Sequence, residues 1–259
     1  MAITSRRDLF SPKSQPDRSE RFYLPELDSL RFFAFLAVFV CHAWDIQHGP
    51  NPLADIGTFG VDLFFTLSAY LITELLLRER ERLGEIDVPA FYIRRILRIW
   101  PLYFAFLAVV FVAVSLWPLA KISWLYFAAC SVFVGNFGFY WLGQPSLIIA
   151  PLWSISVEEQ FYISWPLILR RLTQRKIVIA AILLWTFSIA VRWLMAHEGA
   201  RLLIVFGTFG RLDPMACGIL LSAFQRSGRW RNPPLIVRVI LVIVGCYLWL
   251  MADLWRKPA

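Results

Sequence analysis

Two basic side chains stand eleven residues apart in an otherwise apolar run, Leu27-Asp-Ser-Leu-Arg31 through Cys41-His42. Eleven residues is close to three helical turns, about 16 Å, so a helix projects both from one face. Histidine is the commonest general base near neutral pH. The pair therefore reads either as two ends of a channel through a membrane, or as a snorkelling arginine and an interfacial histidine. Asp62, in Gly60-Val-Asp62-Leu-Phe-Phe-Thr-Leu-Ser68, precedes a second apolar run. It would lie at a depth similar to His42. There it either holds the imidazole tautomer, as in a catalytic triad, or serves as an acid favoured by a helix N-terminus.

Arg94, Arg95 and Arg98 fall within a turn and a half in Phe91-Tyr-Ile-Arg94-Arg95-Ile-Leu-Arg98. Such a cluster anchors a cytoplasmic membrane face; forked guanidinium bonds also suit the phosphates of a cofactor. Glu158 and Glu159 sit with Gln160 inside the apolar run Trp153–Trp165. Two adjacent carboxylates are expensive in lipid and point to a lined cavity. They lie about 100° apart on a helix, so one of the two faces such a site. Arg211 and Asp213 interrupt a further apolar segment, and a bend at Pro214 would let them neutralise one another. His48 and His197 read as outer-loop residues. Cys41, Cys130, Cys217 and Cys246 lie in apolar stretches without paired spacing; they read as packing residues, and no metal ligation is expected.

The elements that must position these groups are membrane spans. Of 259 residues, 59% are apolar and only 17% charged, against roughly 25% charged in a soluble domain. A disordered chain, a disulfide scaffold and a nucleic-acid-binding module are excluded on this balance. The net charge of +8 is explained by positive residues flanking spans on the cytoplasmic side. The expected fold is all-α, a polytopic transmembrane helix bundle. Apolar segments fall at about 27–46, 56–77, 99–118, 152–169, 177–196, 202–224 and 235–253. No alternating period supports a barrel.

Residues 122–157 hold 36 positions without Asp, Glu, Lys, Arg or His. As one helix they would run about 54 Å, too long for a single crossing. Lys and Arg cluster at 1–30, 78–98, 170–176 and 226–238. With those clusters inside, the segment 122–150 makes no net crossing. It is expected to be a re-entrant or outer-face helical element, giving about 7–8 helical membrane segments. Residues 1–21 read as a cytoplasmic tail, and 22–259 as one transmembrane domain.

Together the motifs resemble one family, the acyltransferase-3 integral membrane acyltransferases. Arg31 followed by ten residues and His42 is similar to its Arg-x10-His signature. Gly60–Ser68 resembles its second-span motif, and Arg94-Arg95-x-x-Arg98 its arginine motif. Trp153-Ser-Ile-Ser-Val-Glu158-Glu159-Gln-Phe-Tyr162 is close to its most recognisable stretch. Ser29 stands where glycine is usual, and Ala69-Tyr70 where Gly-Phe is usual. Members typically carry about ten spans, some with an outer esterase-like domain, so the chain is expected to be incomplete at its C-terminus.

The resemblance implies a multi-pass enzyme of the bacterial inner membrane, its N-terminus cytoplasmic. It implies transfer of an acyl group, often acetyl, from cytoplasmic acyl-CoA to a hydroxyl of a carbohydrate or glycolipid acceptor such as a surface polysaccharide or lipopolysaccharide. In this reading Arg94, Arg95 and Arg98 hold the CoA phosphates and Arg31 positions the donor. His42 is the general base, with Asp62, Glu158 or Glu159 beside it. The partners are membrane lipid and the acceptor, with no nucleic acid. A transporter or flippase, and a truncated non-catalytic member of the family, are the rival readings. Transporters often show inverted repeats, and none is found here.

Overall fold

A computed structural model of the chain describes residues 25–48, 54–117, 122–143 and 148–227. All regular structure in these residues is helical: α1 (Pro25–His48), α2 (Ala54–Leu83), α3 (Val88–Leu116), α4 (Trp124–Ser131), α5 (Gly135–Trp141), α6 (Leu152–Leu169), α7 (Gln174–His197), α8 (Arg201–Phe206), a 3-10 turn (Thr208–Arg211) and α9 (Leu212–Arg226). The expected N-terminal tail and the apolar segment 235–253 with Cys246 lie outside the described residues.

Four of the helices are long and apolar enough to cross a membrane: α1, α2, α3 and α7. Helices α1, α3 and α7 wear their apolar surface outward, whereas α2 is largely buried. On α1, Phe32, Phe33, Phe35 and Phe39 are exposed while Ala34 is 1% exposed. Lipid is as apolar as these side chains, so their burial would hold helices together weakly; close backbone approach and polar bonds matter more. The α1–α2 seam uses glycine for this. A Cβ on Gly60 would come 2.7 Å from the carbonyl oxygen of Ala34, and one on Gly57 2.7 Å from the Cys41 sulfur. Arg31 and His42 thus ride on a helix that closely follows α2.

Helix α2 is the hub, packed against α1, α6 and α9. Phe65, Ala69, Ile72 and Leu76 recur at three- and four-residue intervals and are buried, one continuous face of a 3.6-residue helix. Val157, Phe161, Trp165 and Leu169 form the matching core of α6. Polar bonds pin α6 to its neighbours: Trp165 Nε1 donates to Thr73 Oγ1 on α2 at 2.9 Å, and the Tyr92 hydroxyl on α3 to the Ile163 carbonyl at 2.6 Å.

Two segments differ from the sequence expectation in shape. Helix α3 starts at Val88, so the arginine motif is part of the helix rather than a stretch ahead of it. Asp87 caps it, accepting from the Ala90 amide at 3.0 Å. The segment 202–224 is not one helix but α8, a 3-10 turn and α9. Gly207 takes an extended conformation and ends α8, and Pro214 occupies the first turn of α9, where its missing amide costs nothing. Within 122–150 the chain forms α4 and α5, of 8 and 7 residues. Between them Phe133 adopts φ 56°, a left-handed turn that a large side chain enters at a cost. Gln160 Nε2 donates to the Phe133 carbonyl at 2.7 Å.

Candidate functional site

Three helices converge on Glu158. From α2, Ser68 Oγ donates to Glu158 Oε1 at 2.9 Å. One turn along α6, the Tyr162 hydroxyl donates to Oε2 at 3.1 Å. From α3, the half-buried Arg95 guanidinium lies 5.3 Å from the centre of the Tyr162 ring and 5.6 Å from that of Phe91, a cation–π pair of faces. Arg31 on α1 is near enough for its charge to act on both Glu158 and Arg95, and Arg98 acts on Arg95 likewise. The structure therefore sets Arg95 against the tyrosine that holds Glu158, with Arg31 and Arg98 in its electrostatic surroundings; Arg31 itself lies 3.9 Å from Asp28 on its own helix. Arg94 points elsewhere: it is exposed and pairs with Glu79 at 3.1 Å.

Glu159 makes a different bond, although the charge of Arg95 reaches it as well. It is 3% exposed, and its Oε2 accepts from Trp100 Nε1 at 3.1 Å. The two glutamates, about 100° apart on α6, serve different surroundings.

His42 lies toward the other end of α1, half buried. Its Nδ1 sits 2.8 Å from the Val38 carbonyl oxygen. A carbonyl only accepts, so Nδ1 carries the proton, and Nε2 of the neutral ring keeps a free lone pair. The hydrogen-bond partner of the imidazole is thus a backbone oxygen of its own helix, where sequence reasoning expected a carboxylate. Asp62 Oδ1 accepts from Arg211 Nη1 at 2.8 Å. Arg211 is 4% exposed; its Nε donates to the Val205 carbonyl at 2.7 Å, and its guanidinium lies 5.7 Å from the Trp153 ring centre. The expected Arg211–Asp213 pair is not formed: Asp213 pairs with Arg192 at 2.8 Å and accepts from Ser188 at 3.2 Å. The reason is geometric, since Arg211 ends the 3-10 turn while Asp213 has already entered α9. His48 closes α1, and His197 ends α7, exposed, against the Trp193 ring.

Sequence reasoning missed two polar clusters. Gln160, Asn136 and Thr208 form a knot in which Asn136 Nδ2 donates to Thr208 Oγ1 at 3.0 Å and Gln160 Nε2 to Asn136 Oδ1 at 3.0 Å. At the far end of α2, Glu74 accepts from Arg78 Nε at 2.6 Å, Arg226 Nε at 2.9 Å and Ser222 at 3.1 Å. A carboxylate so far inside the second apolar run was the available signal for this cluster. Among the described residues no group of His, Cys, Asp and Glu is placed to hold a metal ion.

A family model described as "Acyltransferase domain" matches residues 24–255, nearly the whole chain. The chain belongs to the acyltransferase-3 family. A Staphylococcus aureus (strain COL) protein, named as an O-acetyltransferase, is 31% identical over 245 residues, covering 86% of this chain and 38% of its own length. The peptidoglycan O-acetyltransferase OatA of Listeria monocytogenes is 36% identical over 162 residues, 58% of this chain and 24% of that protein. The O-acetyltransferase OatA of S. aureus (strain NCTC 8325) is 32% identical over 216 residues, 77% of this chain and 34% of that protein. The chain thus spans less than two-fifths of the length of these relatives. No solved structure matches it. The apolar helices and these bacterial relatives make this acyltransferase-3 member a multi-pass bacterial membrane protein.

Proposed function

We propose that the chain is the membrane part of an O-acyltransferase. It moves an acyl group, most simply acetyl, from cytoplasmic acyl-CoA to a hydroxyl of a cell-envelope carbohydrate. The observation that carries this reading is the Arg95 guanidinium seated over the Tyr162 ring that holds Glu158, with Arg31 and Arg98 in its electrostatic surroundings. An excess of guanidinium charge, part of it held against aromatic faces, suits a polyphosphate donor entering from the inner side. Family membership supplies the reaction class, and the acetyl group and envelope acceptor are taken from the names of the relatives.

In the reaction, His42 Nε2 takes the proton of the acceptor hydroxyl. The oxygen attacks the thioester carbonyl, the carbon–sulfur bond breaks, and the CoA thiolate leaves, taking the proton back from His42 Nε2. Arg31 and His42 share one face of α1 about 16 Å apart. In this reading the donor's thioester arm runs between phosphates held at the inner end and a base at the outer end.

Arg95→Ala is expected to weaken acetyl-CoA binding at least tenfold, measured by titration of the purified protein, because it removes the guanidinium fixed over Tyr162. Unaltered affinity would mean that the arginines only anchor the inner membrane face.

The proposed topology has a cytoplasmic N-terminus and 7–8 helical membrane segments. Residues 122–150 form a re-entrant or outer-face element. Support comes from the lengths of α4 and α5, about 12 and 10 Å, neither of which crosses a core about 30 Å thick. An impermeant thiol label on a cysteine at Gly143 is expected to react from outside intact spheroplasts. Labelling only after lysis would overturn this arrangement.

A further inference from the structure

The half-buried Arg95 guanidinium lies over two aromatic rings, Phe91 at 5.6 Å and Tyr162 at 5.3 Å, and among the described residues no oxygen accepts a hydrogen bond from it. A ring face attracts the charge but gives the five N–H donors of the fork no oxygen acceptor. Two carboxylates are nevertheless close enough to interact with that charge, Glu158 and Glu159. Away from water an arginine and a glutamate attract strongly, so their failure to pair needs a cause.

The cause is that neutral donors hold both carboxylates. Glu158 accepts from Ser68 Oγ on one oxygen, at 2.9 Å, and from the Tyr162 hydroxyl on the other, at 3.1 Å. Glu159 accepts from Trp100 Nε1 at 3.1 Å. Ser68 and Tyr162 are both buried, which shields their bonds to Glu158 from competing water. Tyr162 touches the cation and the anion at once and holds them on different groups. Its ring lies against the guanidinium, and its hydroxyl occupies the carboxylate one turn back on α6. An arginine already bonded to Glu158 would have to give up that bond before taking a phosphate, and the loss would be subtracted from the affinity. A guanidinium held only by ring faces is organised for an anion in advance.

We propose that Ser68 and Tyr162 are positioning residues for the acyl donor: their hydroxyls hold Glu158 off Arg95 and so keep the guanidinium available to the donor's phosphate. The inference rests on the proposed donor site and adds what keeps that site open before the donor arrives.

The first test is an affinity cycle, read by acetyl-CoA titration of the purified protein. Tyr162→Phe keeps the ring, which meets Phe161 at 6.3 Å, and removes only the hydroxyl. It is expected to raise the acetyl-CoA dissociation constant about tenfold. Adding Glu158→Gln is expected to recover much of that loss, by about threefold or more beyond its effect in the parent. An unaltered constant in Tyr162→Phe overturns the positioning role. So does an equal Glu158→Gln effect in both backgrounds, because a merely structural hydroxyl gives no such rescue. Ser68→Ala is expected to show the same pattern, and it carries the test if Tyr162→Phe fails to insert. The second test needs no ligand. Arg95→Gln, Glu158→Gln and the pair are compared by melting temperature in detergent. Their coupling is expected to be about 2–4 °C larger in the Tyr162→Phe background than in the parent, since the released carboxylate then pairs with the guanidinium. Equal coupling in both backgrounds overturns the separation of Glu158 from Arg95. If the parent binds no acetyl-CoA, the donor-site reading fails, and the melting cycle still decides whether the hydroxyls hold the two charges apart.

Discussion

Replacing His42 with alanine is expected to lower acyl transfer by about 10²–10⁴-fold, the usual contribution of a general base, while the protein inserts and melts as before. The imidazole's hydrogen bond is to the Val38 carbonyl one turn back on its own helix. Its loss therefore breaks no tie between α1 and α2, whose seam is made by Gly57, Gly60 and the small residues facing them. The measurement is mass spectrometry of acetylated envelope glycan from cells carrying each variant, with the protein quantified in the membrane fraction. Undiminished acetylation at equal protein level would remove His42 from the reaction.

Arg211→Met is expected to act on the opposite quantity. It should destabilise the fold by about 3–5 kcal/mol, the range for breaking a buried ion pair from one side. Arg211 spans three elements: Asp62 on α2, the Val205 carbonyl at the end of α8 and the Trp153 ring on α6. Methionine of similar length fills the volume but leaves the Val205 carbonyl and Asp62 Oδ1 without that donor. Thermal unfolding in detergent, followed by tryptophan fluorescence, reads the loss. A melting temperature within a degree of the parent would show that the pair contributes nothing net. Lysine at this position restores the charge but not the fork, and is expected to recover only part of the stability.

How much of this was legible in the sequence depends on the range of the interaction. Helix α6 was readable to the residue, because Pro151 and Arg170 bracket an apolar run and the structure starts and stops it there. The partition between Glu158 and Glu159 was readable as a rule, that adjacent residues face apart. Which of them takes Ser68 and Tyr162 and which takes Trp100 was not, because that depends on α2 and α3 packing against α6. The segment 202–224 misled for a simple reason: apolarity is continuous through it, and the glycines at 207 and 210 and Pro214 were outweighed by hydropathy. The Arg211–Asp62 bond joins residues 149 apart, whereas proximity in the chain favoured Asp213. Sequence patterns marked some of the buried charges, Glu159 and Arg211 among them, and passed over Glu74; only the tertiary arrangement determines which charge answers which.

Helix α1 packs extensively, among the described helices, on α2 alone, and turns Phe32, Phe33, Phe35 and Phe39 away from it. Its tilt is therefore governed on one side by a glycine seam and on the other by the surrounding acyl chains. Because Arg31 and His42 share this rod, the thickness of the bilayer reaches both ends of the proposed reaction path at once. Reconstitution into phosphatidylcholines of increasing chain length should consequently tune turnover through a maximum rather than merely preserve it.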